Sequence, residues 1–347
     1  MKKSSLRPFI ISALSVAAMS AHADVSISGV FDLGYASTKT PSLTTNTVDG
    51  SYADLTRVVV KGDVPLSNGI KGIFTIETDF FNPGIVAKNT TTWANGEVQA
   101  GLTGGFGMIQ AGRVNTATFF NTLFYQPYGT AVGSSFGTYA NSVVRFDNTA
   151  KYTTPTLNGF KASLLYSAKN TGGSVDQNTA GVTEYGLSYN NGPLSVGFAS
   201  LKNEVAGGAT GNANAANASL SATKDYVVNS LGASYNVGGG LKVMGLYDTQ
   251  KADSGAVADR THTALSAVYV KGQSQMSLTL GTYKNNKAEA GSTSNTADYY
   301  SLGYDYFLDT QATSAVYARY TATDNKTVAV SSAGTYSTVA VGYRFGF

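Results

Sequence analysis

Residues 337–347 read STVAVGYRFGF. Val339, Val341, Tyr343, Phe345 and Phe347 are apolar or aromatic, while Thr338, Ala340, Gly342, Arg344 and Gly346 between them are small or polar. Strict period-two alternation describes an extended strand with one apolar and one polar face. Carried through to a terminal aromatic, the pattern suits a strand whose outer face touches lipid better than one whose outer face touches water.

The same alternation recurs along the chain. VSISGVFDLGY (25–35) sets Val25, Ile27, Phe31 and Leu33 against Ser26, Ser28 and Asp32. IKGIFTIETDF (70–80) sets Ile70, Phe74, Ile76 and Phe80 against Lys71, Thr75, Glu77 and Asp79. Tight-turn sequences fall at 65–69, 103–107, 154–159, 190–193, 237–240, 271–274 and 308–311. Longer polar stretches alternate with them, at about 36–54, 81–95, 114–143, 168–182, 200–225, 249–262, 284–298 and 322–335. Seven short and eight long connections join sixteen antiparallel strands, with all the short turns at one end of the sheet. That is the plan of an all-β transmembrane barrel. Closure removes the sheet edges and satisfies every backbone group in lipid. At sixteen strands the interior is too wide for side chains to fill, so it holds water. A soluble sandwich or propeller explains neither the regular alternation of connections nor the closing aromatic strand.

Composition agrees. The chain has 39 Gly, 22 Tyr and 16 Phe but only 7 Pro and no Cys, which suits many strands and tight turns without disulfides. The first 23 residues combine Lys2, Lys3 and Arg7, a short apolar run from Phe9 to Met19, and Ala21-His22-Ala23. This reads as a secretory signal peptide, too short to span a bilayer, with the exported barrel at 24–347. Its three cations account for the whole net charge of +3, so nothing in the remainder favours nucleic acid. The Ala/Gly/Asn-rich segment 205–223 reads as one outer loop between strands rather than a linker.

Several stretches together resemble the general trimeric porins of Gram-negative bacteria, of the neisserial and betaproteobacterial type. They are SGVFDLGY, TRVVVKGDVPLSNGIKGIFTIETDF, GLTGGFGMIQAGR, RFDNTAKYTTPTLNGFKASLLYS, LGASYN and GYRFGF. The resemblance implies a homotrimer in the outer membrane, surrounded by lipid and lipopolysaccharide. It implies a third long loop folded into the lumen, opposite a basic patch on the wall. It also implies that Phe347 is the signal read by the barrel-assembly machinery. No cofactor and no metal are expected.

Candidate selectivity residues follow. Val58 and Val60 have lipid-facing parity, so Arg57, Lys61 and Asp63 point inward; Arg or Lys on the lipid side would cost about 2–4 kcal/mol at the bilayer midplane. Arg145 and, on the same parity, Asp147, Thr149 and Lys151 are expected inside, with Phe146 outside. The resemblance adds Arg113, which alternation alone does not place. Arg57, Arg113, Arg145, Lys61 and Lys151 are thus the expected constriction cations, and Asp32, Glu77, Asp79 and Asp147 the lumen acids. The third loop has no Asp or Glu between Val114 and Val144, and Phe119, Phe120, Phe124 and Tyr125 are available to anchor it. Basic wall residues facing an acid-free loop should favour anions, unless Glu77 and Asp79 offset them. The expected function is passive diffusion of ions and small hydrophilic solutes with a mild anion preference. The second reading is a channel selective for anionic or sugar solutes, which would show saturable binding. Trp93, the lone tryptophan, suits either a subunit contact or loop packing.

Catalysis finds little footing. After the signal peptide only His262 remains, expected as a solvated strand-end residue without an Asp partner. There is no cysteine and no metal-ligand spacing.

Overall fold

A computed structural model describes residues 24–50, 52–80, 93–136, 144–168, 179–205, 225–252, 259–285, 296–326 and 334–347. The signal-peptide expectation at 1–23 lies outside them, as do most of the long polar loops, including most of 205–223. In chain order come β1 (Asp24–Lys39), β2 (Thr44–Asp49), β3 (Arg57–Pro65), β4 (Lys71–Asp79), β5 (Val98–Gly104) and β6 (Gly107–Asn115). The helix α1 (Ala117–Phe124) follows, then β7 (Arg145–Thr153), β8 (Phe160–Ser167), β9 (Thr179–Asn191), β10 (Leu194–Val205) and β11 (Tyr226–Gly238). The set ends with β12 (Leu241–Ala252), β13 (Arg260–Lys271), β14 (Ser274–Asn285), β15 (Thr296–Phe307), β16 (Ala315–Asn325) and β17 (Gly334–Gly346).

These strands occupy sixteen places in one closed antiparallel barrel, because β2 and β3 share a place: β1 pairs with β2 through 34–39 and with β3 through 24–30. The seam between β1 and β17 closes the ring, from Val30 opposite Gly346 to Lys39 opposite Ser337. Gly29 N–H donates to the Phe347 carbonyl at 2.9 Å, and Phe31 stacks on Phe345 at 5.6 Å. Each tight-turn sequence joins neighbouring strands. In the first, Asn68 and Gly69 take φ of 59° and 73°, the left-handed region that only such residues enter cheaply.

Burial is inverted relative to a water-soluble domain. Leu265, Met276, Leu280 and Leu302 are exposed on the outer wall, whereas Thr279, Ser301, Asp305 and Arg319 are buried inside. Among the described residues no helix is long and apolar enough to cross a membrane, and the crossing is made by strands.

Two local expectations need correction. The connection expected from residue 36 is largely strand: β1 runs on to Lys39 and turns back as β2, whose Thr-rich TTNTV sequence favours extension. Alternation also breaks in β7. Asn148 sits at φ 53°, and the β6–β7 register slips between Gly112/Thr149 and Val114/Phe146. This bulge puts one extra residue in β7 and reverses the faces across it. Phe146, expected outside, is 2 % exposed and packs with Leu165, Val182, Leu201, Tyr226 and Val228 on the inner wall. Arg145 and Lys151 therefore do not share one unbroken alternation.

Candidate functional site

The segment after β6 turns into the barrel and runs along its inner wall. Thr116 caps α1 by accepting the Phe119 N–H at 3.1 Å. Glu184 on β9 accepts the N–H groups of Ala117 and Thr118 at 2.6 and 2.9 Å. A carboxylate at the positive end of a helix, taking two otherwise unpaired amides, is a strong anchor. Asn121 Nδ2 then donates to the Ser230 carbonyl at 3.2 Å, and the Tyr125 hydroxyl pairs with Ser195 Oγ at 3.0 Å. The Tyr128 hydroxyl donates to the Ser277 carbonyl at 2.9 Å, beneath the Arg319 guanidinium, which lies 4.9 Å from the ring centre. Burial pushes the Tyr128 hydroxyl up to about 12, keeping it a donor. The wall is shaped to receive these rings: a Cβ on Gly232 would fall inside the ring of Tyr125, and one on Gly303 would strike Tyr128. The segment thus spans the inner wall from β9 to β15 and narrows the lumen.

Beside the start of this segment, where Asn115 pairs with Arg145, lies a charged cluster. Arg145 on β7 contacts Glu77 at 3.4 Å and Asp79 at 3.2 Å, both on β4. Arg57 on β3 approaches the same two carboxylates at 3.8 Å each and Asp54 at 3.7 Å. Glu77 and Asp79 are 7 % and 2 % exposed, so the acids sit behind the guanidinium groups. Two guanidinium groups thus face three carboxylates, Glu77, Asp79 and Asp54, and the cluster carries no excess positive charge. The offset raised from the sequence is therefore built into the wall.

The other expected residues are dispersed. Arg113 shares the parity of the exposed Ile109 and Ala111, and donates to Asp147 at 3.1 Å across the β7 bulge. Lys151 is buried against the loop: Nζ donates to the Asn115 carbonyl at 2.8 Å and lies 5.3 Å from the centre of the Phe120 ring. Asp32 is fully buried, accepting from Ala53 N–H at 2.7 Å and the Tyr317 hydroxyl at 2.7 Å. Lys61 is exposed on the parity of Val59 and Arg57, with no ion-pair partner among the described residues. Trp93 is exposed.

Sequence reasoning missed three features. First, Lys242 and Arg344 sit on inward positions, opposite Asn236 and the inward Asp32 in register; Lys161, whose inward parity is legible in FKASLLYS, joins them opposite Ser188. The alternation of their strands was the available signal. Second, His262 is not a solvated strand end. It is fully buried, with Nδ1 2.9 Å from Asp248 and Nε2 2.8 Å from the Tyr299 hydroxyl. Asp248 lies directly across the β12–β13 ladder, a proximity invisible at a separation of fourteen residues. Third, Glu184 is the loop anchor, and nothing in its sequence neighbourhood marks it. Among the described residues no group of three or more His, Cys, Asp or Glu is placed to hold a metal ion.

Comparison with known proteins follows this geometry. The family model described as Gram-negative porin matches residues 11–328. The chain is 28 % identical over 293 residues to the major outer membrane protein P.IB of Neisseria sicca, covering 79 % of each chain. It is 29 % identical over 215 residues to P.IB of Neisseria gonorrhoeae, covering 57 % of each. Among solved structures it is similar to the anion-selective porin from Comamonas acidovorans, with TM-score 0.76 and 21 % identity over 94 % of this chain and 100 % of that one. It is also similar to the trimer form of OmpT from Vibrio cholerae, with TM-score 0.67 and 14 % identity over 94 % and 99 %.

Proposed function

The chain belongs to the Gram-negative porin family and forms an outer-membrane channel for passive diffusion of ions and small hydrophilic solutes, and from that premise we propose that its lumen prefers anions. The observation that carries this reading is which charges meet the water. Arg57 and Arg145 are matched by Glu77 and Asp79. Asp32, Glu184 and Asp248 are sealed behind hydroxyl, amide and imidazole donors. Among the described residues Lys61, Lys161 and Lys242 have no such match, and Arg344 faces only the sealed Asp32 across the β1–β17 ladder. In a water-filled pore with low-dielectric walls, unmatched cations raise the local anion concentration. The constriction arginines, with Arg113 and Lys151, then shape and order the wall more than they charge it.

The wider reading is a non-enzymatic homotrimer in outer-membrane lipid and lipopolysaccharide, with Phe347 as the assembly signal. It is supported by the family, by the trimer form of the Vibrio protein, and by the exposed aromatic row Tyr343–Phe345–Phe347.

The test is the reversal potential in a potassium chloride gradient across a planar bilayer. The native channel should reverse on the anion side. Replacing Lys61, Lys161, Lys242 and Arg344 together by Gln should abolish that preference. Replacing Arg57, Arg145 and Glu77 by Gln and Asp79 by Asn should leave it nearly intact. A native reversal on the cation side would overturn the proposal.

A further inference from the structure

A recess of about 790 Å³ lies between α1 and the inner wall of β8–β12, at the short-turn end of the barrel. Two kinds of surface line it, and each lacks a partner. Lys161 follows the 154–159 turn and Lys242 follows the 238–240 turn, so both sit at the mouth through which solute leaves or enters on that side. Among the described residues neither makes an ion pair; Glu97 and the buried Lys151 also line the recess. Between them the wall is amide- and hydroxyl-rich, with Asn190 and Asn236 on the intervening strands. The roof is aromatic. Phe120 and Phe124 stack at 5.6 Å with planes 9° apart, and Phe124 is still 60 % exposed. An open phenyl face in a water-filled lumen gains by taking another ring. The lysines beside it gain by taking a carboxylate.

We propose that this recess is a binding site for small aromatic carboxylates. The ring would stack on the open face of Phe124, and the carboxylate would be met by Lys161 or Lys242. The chemistry selects this class over its neighbours. A sugar would leave both cations unused, and inorganic phosphate would leave the phenyl face unused. Tyr125 and Asn121 hold α1 to the wall, so the aromatic roof is fixed before a solute arrives. The site deepens the anion-preferring channel proposed above and rests on it.

The probe is benzoate, added to the short-turn side of the reconstituted channel while chloride current is recorded. Acetate supplies the charge without the ring, and benzyl alcohol the ring without the charge. Benzoate should reduce the current saturably, and the two controls should not at the same concentration. Lys161→Gln with Lys242→Gln, and separately Phe124→Ser, should each raise the half-blocking concentration at least about tenfold. Both variants change solvent-facing side chains, and an unchanged β-strand circular dichroism spectrum and thermal unfolding midpoint verify that they fold. A current that stays linear in benzoate, or a block equal in native and variant channels, overturns the site. If the potassium chloride reversal is then still on the anion side, the channel reading survives that failure. A cation-side reversal with a variant-sensitive benzoate block would retain the site and remove the general anion preference.

Discussion

Two groups of cations line the same lumen and do opposite things. Arg57 and Arg145, the latter across the β6–β7 ladder from Asn115 just before the inserted helix, are each in reach of Glu77 and Asp79. Lys161 and Lys242 stand beneath that helix with water in front of them and, among the described residues, no carboxylate within ion-pair distance, although Glu97 lines the same recess. The arginines are the more obvious residues in the sequence, yet their field closes on carboxylates a few ångströms behind them. The lysines sit near tight turns and look ordinary, yet their field is open. The electrical effect of a pore residue is set by its nearest counter-charge, not by its type.

The comparison breaks most sharply if the acids behind the arginines are removed. Glu77→Gln with Asp79→Asn exposes two guanidinium charges. Each unit charge at about 4 Å is worth about 1 kcal/mol in water and about 4 kcal/mol near a protein surface. The chloride-to-potassium permeability ratio should therefore rise at least about fivefold, read from the reversal potential. An unchanged ratio would mean that the cluster does not border the conducting path.

A smaller effect sharpens the other side, by loosening the helix above the lysines. Glu184→Gln removes the charge that receives the Ala117 and Thr118 amides. Hydrogen bonds to a charged group contribute about 1.5–3 kcal/mol. Single-channel records should show larger, noisier steps with added sublevels, while Glu184→Asp should restore part of the quiet open state. Gly232→Ala should act in the same direction, because the new methyl would overlap the ring of Tyr125, whose hydroxyl ties the helix to Ser195.

The smallest effect concerns a turn remote from both groups. Asp309 accepts the N–H groups of Thr313, Ser314 and Gln311, which holds its carboxyl at about 2, below the ordinary 3.8. A carboxyl depressed by folding contributes stability that is present above about 3.8 and lost as pH falls through about 2. Thermal unfolding of Asp309→Ala should show a slightly weaker dependence on pH across that window, with channel conductance unchanged.

Much of the barrel was legible because period-two alternation and turn chemistry are local. Asn68-Gly69 announces its own turn, and Val339 to Phe347 announces its own outer face. The failures share a cause. The bulge at Asn148 depends on how β6 pairs with β7, so one backbone angle turned Phe146 from the outer wall to the inner. The partners of His262 lie on β12 and β15, and no spacing along the chain connects them. The candidate constriction suffered most. Arg57 and Arg145 could be seen in the sequence, but their neutralisation by β4 could not, since it requires knowing how three strands stand around one point. Arg113 was drawn in by likeness alone, and its guanidinium meets Asp147 instead.

The seam between β1 and β17 carries a consequence for biogenesis. Its ladder joins residues 30–39 to 337–346, nearly the full chain apart. None of those hydrogen bonds can form before residues 337–346 have been delivered, so ring closure is the last event in the chain's maturation. Contacts this distant are slow to find. Until they form, both seam strands present rows of unpaired amides and carbonyls that hydrocarbon will not accept. A chain cut short anywhere before β17 would have no way to bury that edge, which makes premature termination a route to degradation and not to a smaller pore.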